Sequence, residues 1–192
     1  MLPWHASCVA GSGVGVTIIA SANPRAIWRY PVSLYSQKIN PLIGSGDVLG
    51  AQQGKVTLLV NVASKCGLTP QYSALQQVHN DLADKGFSVV GVPCNQFLGQ
   101  EPGTAEEIQE FCSTSFNVTF PLTEKVDVNG DARHGLFASL ADVKDSEGYS
   151  GDVRWNFEKF VLDRQGNVVA RFHPQVAPDA PEVLAAINSA LG

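Results

Sequence analysis

Charge is scarce in this sequence, and basic residues are outnumbered by acidic ones. Charged residues make up 16% of the 192 positions, and the formal net charge is −5. Because nucleic-acid phosphates require a basic surface, we expect no nucleic-acid partner. Long apolar runs are missing as well, since none approaches the ~18 consecutive residues of a membrane-spanning helix. The sequence therefore predicts a soluble protein with no transmembrane segment.

Closely spaced metal ligands are also missing. The four cysteines stand alone at positions 8, 66, 94 and 112, and the four histidines are equally scattered. Neither set has the short pair spacing of a zinc site, so we expect no metal and no cofactor. Four cysteines are too few for the dense disulfide framework of small secreted domains. We therefore expect a cytoplasmic protein with one or two chemically active thiols.

Residues 1–31 are unlike the rest of the chain. Residues 13–22 are mildly apolar, and residues 20–22 resemble a signal-peptidase site. The segment before them has no lysine or arginine, which a secretory signal normally carries. We therefore interpret residues 1–31 as a flexible N-terminal extension and residues 32–192 as one domain. An exported form is the open alternative.

A β-α-β unit is predicted in the middle of the chain. Residues 55–63 are almost continuously apolar, as in a strand buried on both faces, and residues 87–92 form a second such strand. Between them Thr69 is an expected helix N-cap, Pro70 the first helical residue and Gly86 the helix end. This order predicts parallel pairing with a right-handed crossover.

Further helices and strands are expected on either side of this unit. The glycine-rich and proline-rich residues 31–54 predict a loose hairpin before it. After it, Thr104 and Glu107 fit the capping box of a second helix. A short helix is expected at Leu136, Phe137 and Leu140, a hairpin over 157–162 and 168–172, and a last helix from Pro181.

This order of elements is that of an α/β protein with the thioredoxin fold. In that arrangement a mixed central β-sheet is flanked by helices on both faces. Cys66 then lies just beyond the end of the first core strand, where sites in open α/β sheets gather. A following helix N-terminus favours thiolate over thiol, although free cysteines are more often simply buried. Thr69 stands where a thioredoxin-like Cys-x-x-Cys motif would place its second cysteine.

Four stretches of the sequence, taken together, resemble the glutathione peroxidase family. They are "NVASKCGLTPQY" (61–72), "GVPCNQFLGQEPG" (91–103), "FPLTEKVDVNG" (120–130) and "WNFEKFVLDRQGNV" (155–168). The resemblance covers the chain from about residue 32 to the C-terminus. It implies a peroxidase whose nucleophile is Cys66 and whose other catalytic residues are Gln100, Trp155 and Asn156.

Amide and indole N–H groups suit that chemistry, because fixed donors stabilise charge that develops on sulfur and on the leaving oxygen. Each residue also has a simpler interpretation. A tryptophan and an asparagine near a strand start are commonly packing and turn residues, and a glutamine after a glycine is commonly a solvated loop residue. The assignment of Gln100, Trp155 and Asn156 therefore depends on the resemblance.

The resemblance also assigns a second thiol. In the cysteine-containing, thioredoxin-dependent branch of the family, the resolving cysteine occupies the place of Cys112, within "EFCSTSFNVTFP". The alternative is that Cys112 is only a buried core residue that packs beside Ile108 and Phe111. If Cys112 does form a disulfide with Cys66, we expect the helix around residues 105–115 to unwind in part. Cys94 is interpreted as a buried structural thiol.

The implied activity is reduction of hydrogen peroxide and of organic or lipid hydroperoxides through a Cys66 sulfenic acid. Cys112 would resolve it as an intramolecular disulfide, and thioredoxin would restore both thiols. Glutathione as the reductant and a peroxide sensor that oxidises a partner protein are the alternatives. The short connection from Gly130 to Trp155 resembles monomeric or dimeric members of the family, with an open site for bulky lipid hydroperoxides.

Overall fold

A four-stranded mixed β-sheet forms the centre of the structure, a computed structural model that describes residues 33–192. The strands are β1 (Val56–Val62), β2 (Phe87–Pro93), β3 (Lys159–Leu162) and β4 (Val168–Phe172). Their order in the sheet is β2-β1-β3-β4. β1 and β2 pair in parallel, while β1 with β3 and β3 with β4 pair antiparallel. The predicted β-α-β unit and the predicted hairpin are both confirmed, and the predicted extension over residues 1–31 lies outside the described residues.

Four α-helices accompany the sheet within the described residues. They are α1 (Gln71–Leu82), α2 (Ala105–Phe116), α3 (Gly135–Leu140) and α4 (Pro181–Leu191). The predicted capping box opens α2, because the Thr104 hydroxyl accepts from the Glu107 N–H and the Glu107 carboxylate accepts from the Thr104 N–H. Over residues 33–192, no helix has both the length and the apolar character required to cross a membrane.

The two faces of β1 pack against different helices. Side chains alternate along a strand, so Val56, Leu58, Val60 and Val62 share one face. That face packs in a cluster with buried residues of α1, α2 and α4, and Cys66 and Cys112 belong to the same cluster. Leu59, on the other face, packs with α3 and with the segment that precedes β1. The mixed sheet with helices on both faces is therefore as predicted.

Two local predictions are wrong. The described part of residues 31–54 contains no hairpin, only 3₁₀ turns at Leu34–Ser36 and Gly50–Gln52 and a single bridge from Pro41 to Thr123. Glycines in this segment adopt positive φ values, which interrupt an extended strand. The Thr69 hydroxyl does not cap α1, and Pro70, predicted as the first helical residue, is the N-cap position before Gln71 and makes no side-chain cap. That hydroxyl bonds instead to the backbone of the preceding loop.

Asn61 is the exception to the apolar composition of the end of β1. Its side-chain amide donates to the carbonyl of Trp155 at 2.9 Å and accepts from the N–H of Glu158 at 3.0 Å. The Asn61 backbone carbonyl accepts from the Phe157 N–H as well. Residues 155–158 are thus attached to β1 before β3 begins. A polar residue with no exposed surface is stable there because each of its bonds is made.

Replacing Asn61 by leucine tests this attachment. Asn61→Leu leaves the Trp155 carbonyl and the Glu158 N–H without partners, and we expect a loss of about 3 kcal/mol in the free energy of unfolding. Thr57→Val on the same strand is the matched control. The single hydroxyl proton of its partner Tyr35 still has a carbonyl acceptor, at Lys55 or at Asp163, so a loss of only about 1 kcal/mol is expected. Equal losses in urea titrations of the two variants would contradict the assignment.

Candidate active site

Cys66 lies in the loop that joins the end of β1 to α1. The Thr69 hydroxyl accepts from the Cys66 N–H at 3.0 Å and donates to the Ala63 carbonyl at 2.8 Å, which closes the loop around the cysteine. The Leu68 N–H donates to the Cys66 sulfur at 3.4 Å. An N–H group directed at sulfur stabilises negative charge there. Cys66 is 9% exposed, so the loop nearly encloses it but leaves an edge accessible.

Gln100 is joined both to the Cys66 loop and to Asn156. Its backbone carbonyl accepts from the N–H of Lys65, the residue before Cys66, at 3.0 Å. Its side-chain oxygen accepts from the amide of Asn156 at 2.8 Å. Gln100 uses its side-chain oxygen in this bond, so its side-chain NH₂ group can donate to another acceptor. The structure therefore brings three distant stretches of sequence to one place at the end of β1.

Trp155 is partly buried beside these residues. Its indole ring packs on Phe97, with ring centroids 5.4 Å apart, and against the core cluster that contains Cys66. Its backbone is held by Asn61, for which sequence reasoning assigned no role. The available signal was a lone asparagine in the otherwise apolar stretch "LLVNVA". The fully buried Asn156 leaves its side-chain oxygen without a partner among the described residues.

Cys112 is fully buried on the face of α2 that packs against the core. Burial raises the pKa of its thiol to about 11, although an interaction with the Tyr72 hydroxyl acts in the opposite direction. Cys66, Cys94 and Cys112 are all free thiols. Cys66 and Cys112 share a core cluster, but no bond joins them.

Cys94 has no comparable access. It is fully buried after β2, with its sulfur 3.8 Å from the side-chain oxygen of Gln96. Burial raises the pKa of this thiol too. A thiol that is buried and protonated at neutral pH is a poor nucleophile. Cys66 is therefore the described cysteine best placed to react.

An open cavity of about 490 Å³ lies between the Cys66 loop and α2. Its walls include Lys65, Glu101, Ile108 and Phe111. Burial raises the pKa of the Glu101 carboxyl, while a hydrogen bond from Ser64 lowers it. The other carboxyl oxygen of Glu101 has no partner among the described residues. The site thus adjoins a recess that is mostly apolar with a few charged groups.

Comparisons with known proteins agree on one family. The family model described as glutathione peroxidase matches residues 34–141. The thioredoxin/glutathione peroxidase BtuE of Escherichia coli K12 is 42% identical over 83% of this chain and 97% of its own length. The hydroperoxy fatty acid reductase gpx1 of Synechocystis sp. PCC 6803 is 47% identical over 83% of this chain and 96% of its own length.

A solved structure gives the same result. The protein in the crystal structure of T. cruzi GPX1 is 30% identical in sequence to this chain. The two structures match with a TM-score of 0.66 over 83% of this chain and 97% of that one. Sequence and structure therefore agree over most of the described residues. The chain belongs to the glutathione peroxidase family and is a peroxidase built on the thioredoxin fold.

Proposed function

We propose that this protein is a thiol peroxidase in which Cys66 attacks the peroxide and Gln100, Trp155 and Asn156 supply hydrogen-bond donors. The observation that carries the proposal is the pair of bonds made by Gln100, one to Lys65 beside the nucleophile and one to Asn156. Those bonds join the segments that carry the Gln100 and Asn156 amides to the loop that carries the cysteine. A packing role alone would not require them to converge there.

The first step is displacement at oxygen. The Cys66 thiolate attacks the terminal oxygen of the hydroperoxide, the O–O bond breaks, and both of its electrons leave with the alkoxide or hydroxide. Cys66 becomes a sulfenic acid, while the leaving oxygen takes a proton from bound water or the proton lost by the thiol. Fixed N–H donors stabilise the charge on the departing oxygen without reorganising, and each contributes about 3 kcal/mol.

The second step is resolution by Cys112. Its sulfur attacks the Cys66 sulfenic acid, a disulfide forms, and water leaves. In closed α2 the thiol is buried and its pKa is about 11, so the helix must open before a thiolate can form and reach Cys66. Opening of α2 costs less than opening of α1, because α2 buries only Ile108 and Cys112, whereas α1 buries five residues.

The third step is reduction by a dithiol. Thioredoxin attacks the Cys66–Cys112 disulfide, becomes oxidised itself and returns both thiols to the reduced state. An intramolecular disulfide is the substrate that such a protein accepts, and the Escherichia coli relative carries thioredoxin in its name. Glutathione is disfavoured because the chain is acidic overall, and the lysines near the cavity are Lys65 and Lys125, the latter already donating to the Gly103 carbonyl. We expect the same cycle in a monomer or a dimer.

The cavity supports organic hydroperoxides as substrates alongside hydrogen peroxide. Its walls include the apolar side chains of Ile108 and Phe111, and it begins at Lys65, next to the nucleophile. An alkyl chain attached to the peroxide can lie there while the O–O bond faces Cys66. Two relatives from Synechocystis are named hydroperoxy fatty acid reductases.

Two cysteine variants, assayed with thioredoxin or with glutathione, test the cycle. Cys66→Ser should abolish peroxide reduction. With thioredoxin as the reductant, Cys112→Ser should rapidly consume one equivalent of peroxide and then stop, because it cannot form the disulfide that thioredoxin reduces. Cys94→Ser is the control and should turn over like the wild type. Unchanged turnover of Cys112→Ser would exclude it as the resolving residue, and a stable mixed disulfide with another protein would favour a sensor.

Hydrogen exchange tests the opening of α2. In wild-type protein oxidised with one equivalent of peroxide, the amides of residues 105–116 should exchange faster than in the reduced protein, while those of α1 stay unchanged. Oxidised Cys112→Ser should show no such acceleration, because its helix has no reason to open. Equal protection of α2 in the reduced and disulfide forms would show that the helix remains folded.

A further inference from the structure

Lys159 is a fully buried lysine at the start of β3. Its ammonium group donates to the carbonyl of Phe157 at 2.7 Å and to the carbonyl of Pro174 at 3.0 Å. Neither partner carries a charge, and the adjacent carboxylate of Glu158 is engaged by Arg154 and Arg171. Burying an amino group without an ion-pair partner is costly, and an apolar residue of similar size is commonly as stable or more stable. The contacts of Lys159 therefore call for an explanation other than stability.

One of these contacts is with the segment that carries two of the proposed donors. Phe157 directly follows Trp155 and Asn156, and its φ of 68° is in the left-handed region. A bulky residue rarely adopts that conformation, so the surrounding structure must hold it there. The bond from Lys159 to the Phe157 carbonyl, together with the bond from Asn61 to Trp155, does so.

The other contact leads to the start of α1. The Pro174 carbonyl that accepts from Lys159 also accepts from the side-chain amide of Gln71 at 2.9 Å. Gln71 is the first residue of α1, the helix that follows the Cys66 loop. Lys159 thus lies between the segment bearing the donors and the helix that begins after the reactive cysteine.

We propose that Lys159 is a positioning residue, which fixes the Trp155–Asn156 donors relative to Cys66 through the Phe157 and Pro174 carbonyls. The inference rests on the proposed peroxidase function. Lys159 touches neither peroxide nor sulfur. It acts by holding the backbone that carries the donors, so its loss displaces them from the leaving oxygen while Cys66 itself is unchanged.

The protonation state of Lys159 does not remove this role. Burial lowers the pKa of the amino group to about 7, and the negative charge of Glu158 acts in the opposite direction. Both ammonium and amine are therefore present near neutral pH, and each has enough N–H groups for two carbonyls. The two contacts persist across that range.

Lys159→Met tests the proposal, because methionine fills a similar volume and donates no hydrogen bond. Two rate constants are measured for Cys66, one with hydrogen peroxide by stopped flow and one with iodoacetamide by mass spectrometry. Alkylation needs a nucleophilic sulfur but no donors at a leaving oxygen. We expect the peroxide rate constant to fall about tenfold and the alkylation rate constant to change less than about twofold.

Thr57→Val is the matched control, since it removes a buried polar contact at the opposite end of the sheet and should leave both rate constants unchanged. Should Lys159→Met not fold, Lys159→Gln, whose amide can reach one carbonyl, is measured in the same way. An unchanged peroxide rate constant, or an equal fall in both, would overturn the proposal. Failure of the wild type to reduce peroxide would instead overturn the proposed function.

Discussion

Burial of β1 on both faces is the constraint on which the site depends. All seven residues of β1 are buried, with α1, α2 and α4 packed on one face and α3 on the other. A strand held in this way cannot shift without opening two cores, so the loop that follows it starts from a fixed point. The position of Cys66 in that loop is therefore fixed by β1. The hydrogen bonds of Asn61 hold residues 155–158 against the same strand.

The proposed cycle combines parts that must stay fixed with one part that must move. Asn156 donates to Gln100, the Gln100 carbonyl accepts from the Cys66 loop, and the Trp155 carbonyl accepts from Asn61 of β1. Preorganisation of this kind is what stabilises charge on a leaving oxygen. In that cycle Cys112 has the opposite requirement, since its thiol is fully buried on the core face of α2 and would have to come within disulfide distance of Cys66. The few buried side chains of α2 would reconcile the two needs, because the proposed opening of that helix does not require the donors to leave their places.

Much of this fold could be predicted because its signals are local. Two continuous apolar runs predict β1 and β2, and the Thr104–Glu107 pair predicts the start of α2. The errors arose where a side chain or a segment has contacts other than the expected ones. The Thr69 hydroxyl bonds to the loop around Cys66 instead of to α1, and the segment before β1 packs on the sheet without forming strands. The role of Asn61 depends on a carbonyl 94 residues away, and the proposed role of Lys159 depends in part on the Pro174 carbonyl, 15 residues away, so local patterns do not reveal them.

The central claim is that Cys66 is the sulfur that peroxide oxidises. The most direct measurement is to treat Cys112→Ser with one equivalent of hydrogen peroxide in the presence of dimedone, which traps sulfenic acids, and to locate the adduct by mass spectrometry. The account predicts an adduct on Cys66, with Cys94 unmodified. An adduct on Cys94 in place of Cys66, or rapid loss of peroxide with no adduct on Cys66, would contradict it.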